Sequence, residues 1–79
     1  SIILNAAYEG KLKILKKCAS ELDHILGVGL PTILGDTKDG DGKHALHFAA
    51  AGGRVDVLEY LIEEMKLDID VTDNSGTVI

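Results

Sequence analysis

Residues Asp39–Asp73 read DGDGKHALHFAAAGGRVDVLEYLIEEMKLDIDVTD, and the fold of the whole chain turns on how they are read. The stretch opens on Asp39 and Gly42, the residue types that close tight turns, and runs through Leu46 and the small Ala49-Ala50 pair to Gly52-Gly53. From there Val57, Leu58, Leu61, Ile62 and Met65 recur at the spacing of one helical face. This predicts a turn, a short helix over about His44–Ala51, a reversal at the glycines, and a longer helix from Val55 to about Met65. Small alanines let two antiparallel helices approach closely, while larger aliphatics fill the seam to the next layer.

Working outward, the pattern occurs twice. AAYEGKLKILKKCA at Ala6–Ala19 aligns with AAAGGRVDVLEYLI at Ala49–Ile62 at a constant offset of 43 residues. In each copy a glycine follows the first alanine by four positions, and Ile14, Leu15, Cys18, Ala19 and Leu22 repeat the apolar face. The first copy therefore predicts a short helix over about Ile2–Tyr8 and a longer one from Lys11 to about Leu22. A second echo sets DGDGKHA at Asp39–Ala45 against DNSGTVI at Asp73–Ile79, at offset 34, so the Asp-x-x-Gly frame stands before and after the second helix pair.

Asp39–Asp73 strongly resembles an ankyrin repeat, whose pattern runs Asp-x-x-Gly-x-Thr-Pro-Leu-His-x-Ala-Ala-x-x-Gly, then an amphipathic helix and Asp-Val-Asn. Asp39, Gly42, Leu46, His47, Ala49, Ala50, Gly53, Leu61, Asp68 and Asp73 match it by position. The resemblance implies an all-α solenoid of antiparallel helix pairs. It would hold a first repeat over 1–23, an apolar inserted loop over 24–38, a second repeat over 39–72 and the start of a third over 73–79. The period agrees with that of such arrays, about 33 residues. A narrower similarity is to plant proteins that join ankyrin to tetratricopeptide repeats.

Three departures from the family pattern matter. His44-Ala45 replaces Thr-Pro, removing the usual hydroxyl contact and the proline stiffening. Met65-Lys66, with one residue extra, replaces the glycine after the longer helix, which is then expected to end without a left-handed cap. Finally, HILGVGLPTILGD is too apolar for a flexible linker and is expected to fold back onto the repeats.

Composition supports one small domain. Its 79 residues contain no Trp, one Phe and two Tyr, so the core must be aliphatic. A single cysteine excludes an internal disulfide and fits a reducing, intracellular setting, cytoplasmic or nuclear. No apolar run approaches a membrane span. Opening on Ser and stopping at Thr77-Val78-Ile79, the chain reads as a piece of something longer, with open ends that favour marginal stability or self-association. Its formal charge of −5 divides into +3 over residues 1–20 and −8 over residues 21–79. The acidic body argues against nucleic acid, and the lysines of the first segment read as a solvated helix face.

The glycine-rich stretch invites catalytic and ligand-binding readings, and each fails. A phosphate loop needs glycine where Thr37 stands and Ser or Thr where His44 stands. A calcium loop from Asp39 would put Lys43 at its fifth position and Ala50 at its twelfth, where an acid is required. Gly40-x-Gly42 lacks the third glycine and the preceding strand of a dinucleotide site. His44 and His47, with Cys18 and His24 elsewhere, do not assemble a zinc ligand set. Cys18 on an apolar helix face reads as a buried small hydrophobe, and Glu59, Glu63 and Glu64 as a solvated face. We therefore expect no enzyme, no cofactor and no metal.

What the resemblance implies about function is protein binding. In ankyrin proteins the turn tips (fingers) and the outer face of the short helices form a concave surface that binds other proteins. By position this surface comprises Tyr8 and Glu9, then Gly40, Asp41, Lys43, Ala51 and Gly52, then Asn74, Ser75 and Thr77. Asp41 and Lys43, flanking Gly42, are expected to vary without disturbing the turn. The histidine matching His47 is expected to tie neighbouring turns together. The alternative is an architectural segment that packs against other domains of a longer chain and has no partner of its own.

Overall fold

A computed structural model describes all residues, 1–79. Five α-helices follow one another: α1 Ile2–Glu9, α2 Leu12–Leu26, α3 Leu30–Asp36, α4 Ala45–Ala51 and α5 Val55–Glu59, the last running on into a π-helical turn, Tyr60–Glu64. There is no sheet, only one isolated antiparallel bridge between Lys38 and His44. The fold is all-α and built of repeated helix pairs. α1 packs against α2 and α4 against α5, and the two pairs join chiefly through α1 and α4.

The 43-residue echo is a repeated backbone structure. After α1, Gly10 adopts φ 74° and the Lys11 amide donates to Ala6 O at 2.9 Å. After α4, Gly53 adopts φ 67° and the Arg54 amide donates to Ala49 O at 2.9 Å. Both glycines sit in the left-handed region that other residues disfavour, and the following amides satisfy carbonyls orphaned at the helix ends. The alanines have the packing role their size suggests: Ala6, Ala7, Ala45 and Ala49 are all buried where α1 meets α4.

Ile3, Leu4, Leu15, Leu34, Leu46, Val57 and Leu61 fill the core, with Tyr60 the only aromatic residue among its buried members. Removing each such aliphatic side chain from water contributes roughly 1.5–3 kcal/mol, which is how a chain without Trp holds together. Lys16 lies over the Tyr60 ring, 4.6 Å from its centroid, and links the outer helices of the two pairs.

Several details differ from the sequence reading. α2 runs to Leu26, a turn further than predicted, because its stop signal is Gly27 at φ 65°. Asp23 accepts the Gly29 amide at 2.8 Å and fastens the Gly27–Gly29 turn. The segment read as an inserted loop carries helix α3, whose Ile33 and Leu34 join the core. Cys18 is half-buried rather than buried. It lies beside Ile2, Leu22 and Ile25 along an apolar groove on the side of α1 and α2 that no other layer covers. The extra residue at Met65-Lys66 widens the second outer helix into the π-turn, where Met65 N–H donates to Tyr60 O at 3.0 Å. The expected lack of a left-handed terminus is also corrected. Lys66 itself takes φ 59°, which lets the Leu67 amide reach Leu61 O at 3.0 Å.

Candidate functional site: the fingers and the inner helices

Two fingers, 39–43 and 73–77, are built alike. In the first, Asp39 Oδ1 accepts the amides of Asp41 and Lys43, both at 2.9 Å, and Asp39 O accepts Gly42 N–H at 3.1 Å. In the second, Asp73 Oδ1 accepts the amides of Ser75 and Thr77 at 2.9 and 2.8 Å, and Asp73 O accepts Gly76 N–H at 3.0 Å. Gly42 and Gly76 close the turns at φ 77° and 78°. The aspartate side chain satisfies amides that would otherwise need water, so each tip is rigid without help from the residues at its apex.

The fingers are also fastened to each other and to the helices. The Asn74 amide donates to Asp41 O at 2.9 Å and its side-chain amide to Gly40 O at 3.3 Å. A Cβ on Gly42 would fall 2.3 Å from Asn74 Oδ1, so this close approach itself requires glycine. His47 is buried, accepts the His44 amide at Nδ1 (3.1 Å), and faces Thr77 O through Nε2 at 3.0 Å. An Nδ1 that accepts places the proton on Nε2, which donates to Thr77 O. The His47 ring therefore ties α4 to the following finger. His44, in place of the family's threonine, sets its Nδ1 2.9 Å from Gly35 O and stacks against His47 with centroids 5.9 Å apart.

Of the ten residues expected on the concave surface, Tyr8, Glu9, Gly40, Asp41, Ala51, Asn74, Ser75 and Thr77 are exposed. Lys43, Ala51 and Thr77 are brought together beside His47 in one open groove. Besides Asn74, which fastens the fingers, two more of the ten have structural work that spacing did not disclose. Lys43 is not free to vary: its ammonium pairs with the Asp73 carboxylate, whose side chain is only 3% exposed. The Lys43 ammonium, then the Thr77 and Ser75 amides, hold that carboxyl well below the usual carboxylate range, and Asp73 in turn raises the Lys43 pKa. Gly52 is half-buried, and a Cβ there would lie 2.0 Å from Tyr8 O. It is the contact point of α1 and α4 rather than free surface.

Arg54 is the residue that the sequence reading missed. Its Nε donates to Tyr8 O at 2.9 Å and its stem covers Gly10, so it bridges the two helix-pair turns beside Tyr8. The only available signal was its alignment with Lys11 at offset 43. Glu9, exposed at the same end, pairs with Lys11 at 2.9 Å, and that hydrogen bond lowers its pKa. No group of three or more His, Cys, Asp or Glu side chains is placed to hold a metal ion. No helix is long and apolar enough to cross a membrane.

The family model for ankyrin repeats (many copies) matches residues 3–62, which take in nearly all of both helix pairs and the first finger. The chain belongs to the ankyrin-repeat family. Ankyrin repeats are non-enzymatic modules that generally mediate protein–protein interaction. This ankyrin segment is also 36% identical over 76 residues to the liver isoform of mitochondrial glutaminase from Rattus norvegicus. It is 35% identical over 77 residues to the same isoform from Mus musculus. Each match takes in 96% of the chain but 11% of the glutaminase, so the chain spans about a ninth of the length of these relatives.

Proposed function

We propose that this ankyrin segment is a non-catalytic protein-interaction module whose concave finger and short-helix face receives the partner. The observation that carries the reading is the finger architecture. Asp39 and Asp73 close the two tips and Asn74 fastens one to the other, leaving Gly40, Asp41 and Ser75 exposed on a fixed frame. Rigid presentation loses little ordering entropy on binding, the condition under which a few side chains carry most of the affinity. Tyr8, 49% exposed at the end of α1, is the natural anchor of this surface.

The test compares two double variants of similar fold stability. Tyr8→Ala with Asp41→Ala should weaken capture of the native partner while leaving the circular dichroism spectrum unchanged. Glu59→Arg with Glu63→Arg, on the outer helix, should do less. The opposite ranking would show that the concave assignment is wrong.

A second reading is supported by the glutaminase similarity, which places a segment like this one inside a much longer chain. There the repeats would serve as architecture, packing against other domains. That reading wins if neither double variant affects partner capture.

A further inference from the structure

Helix α3 departs from the repeat pattern, and with the 67–71 segment it encloses a cavity of 150 Å³. None of the ten concave-face residues lines it. Its walls are apolar, made by Leu34, Leu46, Leu67 and Val71, and its polar groups are Asp36, Asp68 and His44. Drug-sized ligands occupy about 300–1,000 Å³, so this space suits one long side chain and nothing larger.

The two carboxylates are the charged groups in its lining. The chain has two ion pairs, Lys11–Glu9 and Lys43–Asp73, so neither Asp36 nor Asp68 has a basic partner. Both aspartates are exposed, and Asp68 spends one carboxylate oxygen on the Asp70 amide at 2.9 Å. No Lys or Arg lines the cavity, and residues 21–79 carry a formal charge of −8. The His44 ring is held by its Nδ1 contact with Gly35 O, so it forms a fixed wall.

We propose that this cavity is a docking pocket for a lysine or arginine side chain of a partner protein. The aliphatic stem would lie along Leu34, Leu46, Leu67 and Val71, with the cationic head between Asp36 and Asp68. Long basic side chains bury their methylenes while keeping the charge at a polar rim, which is the combination these walls present. The pocket does not depend on the concave-face reading, and partner capture by the fingers could fail while it stands.

The experiment titrates the 79-residue chain with capped tripeptides centred on lysine, arginine or norleucine, followed by methyl NMR. Norleucine supplies the stem without the charge. Saturable shifts at Leu34, Leu46, Leu67 and Val71 are expected with the basic peptides, and binding at least about tenfold weaker with norleucine. Asp36→Asn combined with Asp68→Asn should weaken the basic peptides by at least about tenfold, with the dichroism spectrum unchanged. Val71→Phe, which fills the space, should abolish the shifts whatever happens at the aspartates. Equal binding of norleucine, full binding to the Asn variant, or shifts that are unsaturable or centred elsewhere would each overturn the proposal.

Discussion

Gly52→Ala is expected to destabilise the protein, although ordinary backbone reasoning says the reverse. Gly52 sits at φ −82°, ψ −6°, which any residue adopts, and alanine there would normally stabilise by about 0.4–1 kcal/mol through the unfolded chain. The tertiary structure changes the sign. The new Cβ would lie 2.0 Å from Tyr8 O, whereas real Cβ atoms essentially never approach a neighbour within 3.0 Å, so α1 and α4 must part by roughly 1 Å. Tyr8 O also accepts the Arg54 guanidinium at 2.9 Å, so the shift strains a second tie between the repeats. Overpacking of this kind costs about 1–3 kcal/mol, more than the entropic gain. For a domain of this size, each kcal/mol lowers the melting temperature by about 4–8 °C. Thermal melts followed at 222 nm should include Gly40→Ala as the control. A Cβ on Gly40 meets nothing within 4 Å and its φ is not positive, so that variant should melt at or above the wild-type temperature. If Gly52→Ala melts as high as Gly40→Ala, the close approach of the inner helices is not what glycine is for at this position.

Stability should depend on pH through the Lys43–Asp73 tie. The lowered Asp73 carboxyl contributes stability that is present above its unfolded value of about 3.9 and lost as pH falls below it. The raised Lys43 ammonium contributes below its unfolded value of about 10.4, and that share is lost as pH rises through the folded value. Asp73→Asn should therefore flatten the acid limb of a denaturation-midpoint profile, and acid limbs of equal slope in the two proteins would count against the pairing. Lys66→Gly should stabilise by about 0.5–1 kcal/mol, because Lys66 holds φ 59° where glycine is unstrained; a lower urea midpoint would contradict the left-handed terminus.

The helix pairs were legible in the sequence because their causes are local. Gly10 and Gly53 stop their helices for the same conformational reason, and Asp39 and Asp73 close their fingers with their own side chains. Periodicity likewise marked Leu15, Val57 and Leu61, all now in the core. It overstated Ile14 and Leu22, which remain exposed because no layer covers their side of α2. The chemistry of the surface was less legible. Lys43 and Gly52 looked like free surface because their partners, Asp73 and Tyr8 O, lie 30 and 44 residues away, and spacing along a chain carries no distance across it. Arg54 escaped notice for the same reason, its acceptor being a backbone carbonyl that has no side-chain signature. Helix α3 was visible only as an apolar stretch, since seven residues cannot hold a helix alone, and burial of Ile33 and Leu34 supplies what the segment lacks. Local turn chemistry and helical period thus determined the repeats, while side-chain contacts between the layers decided which surface residues are left free.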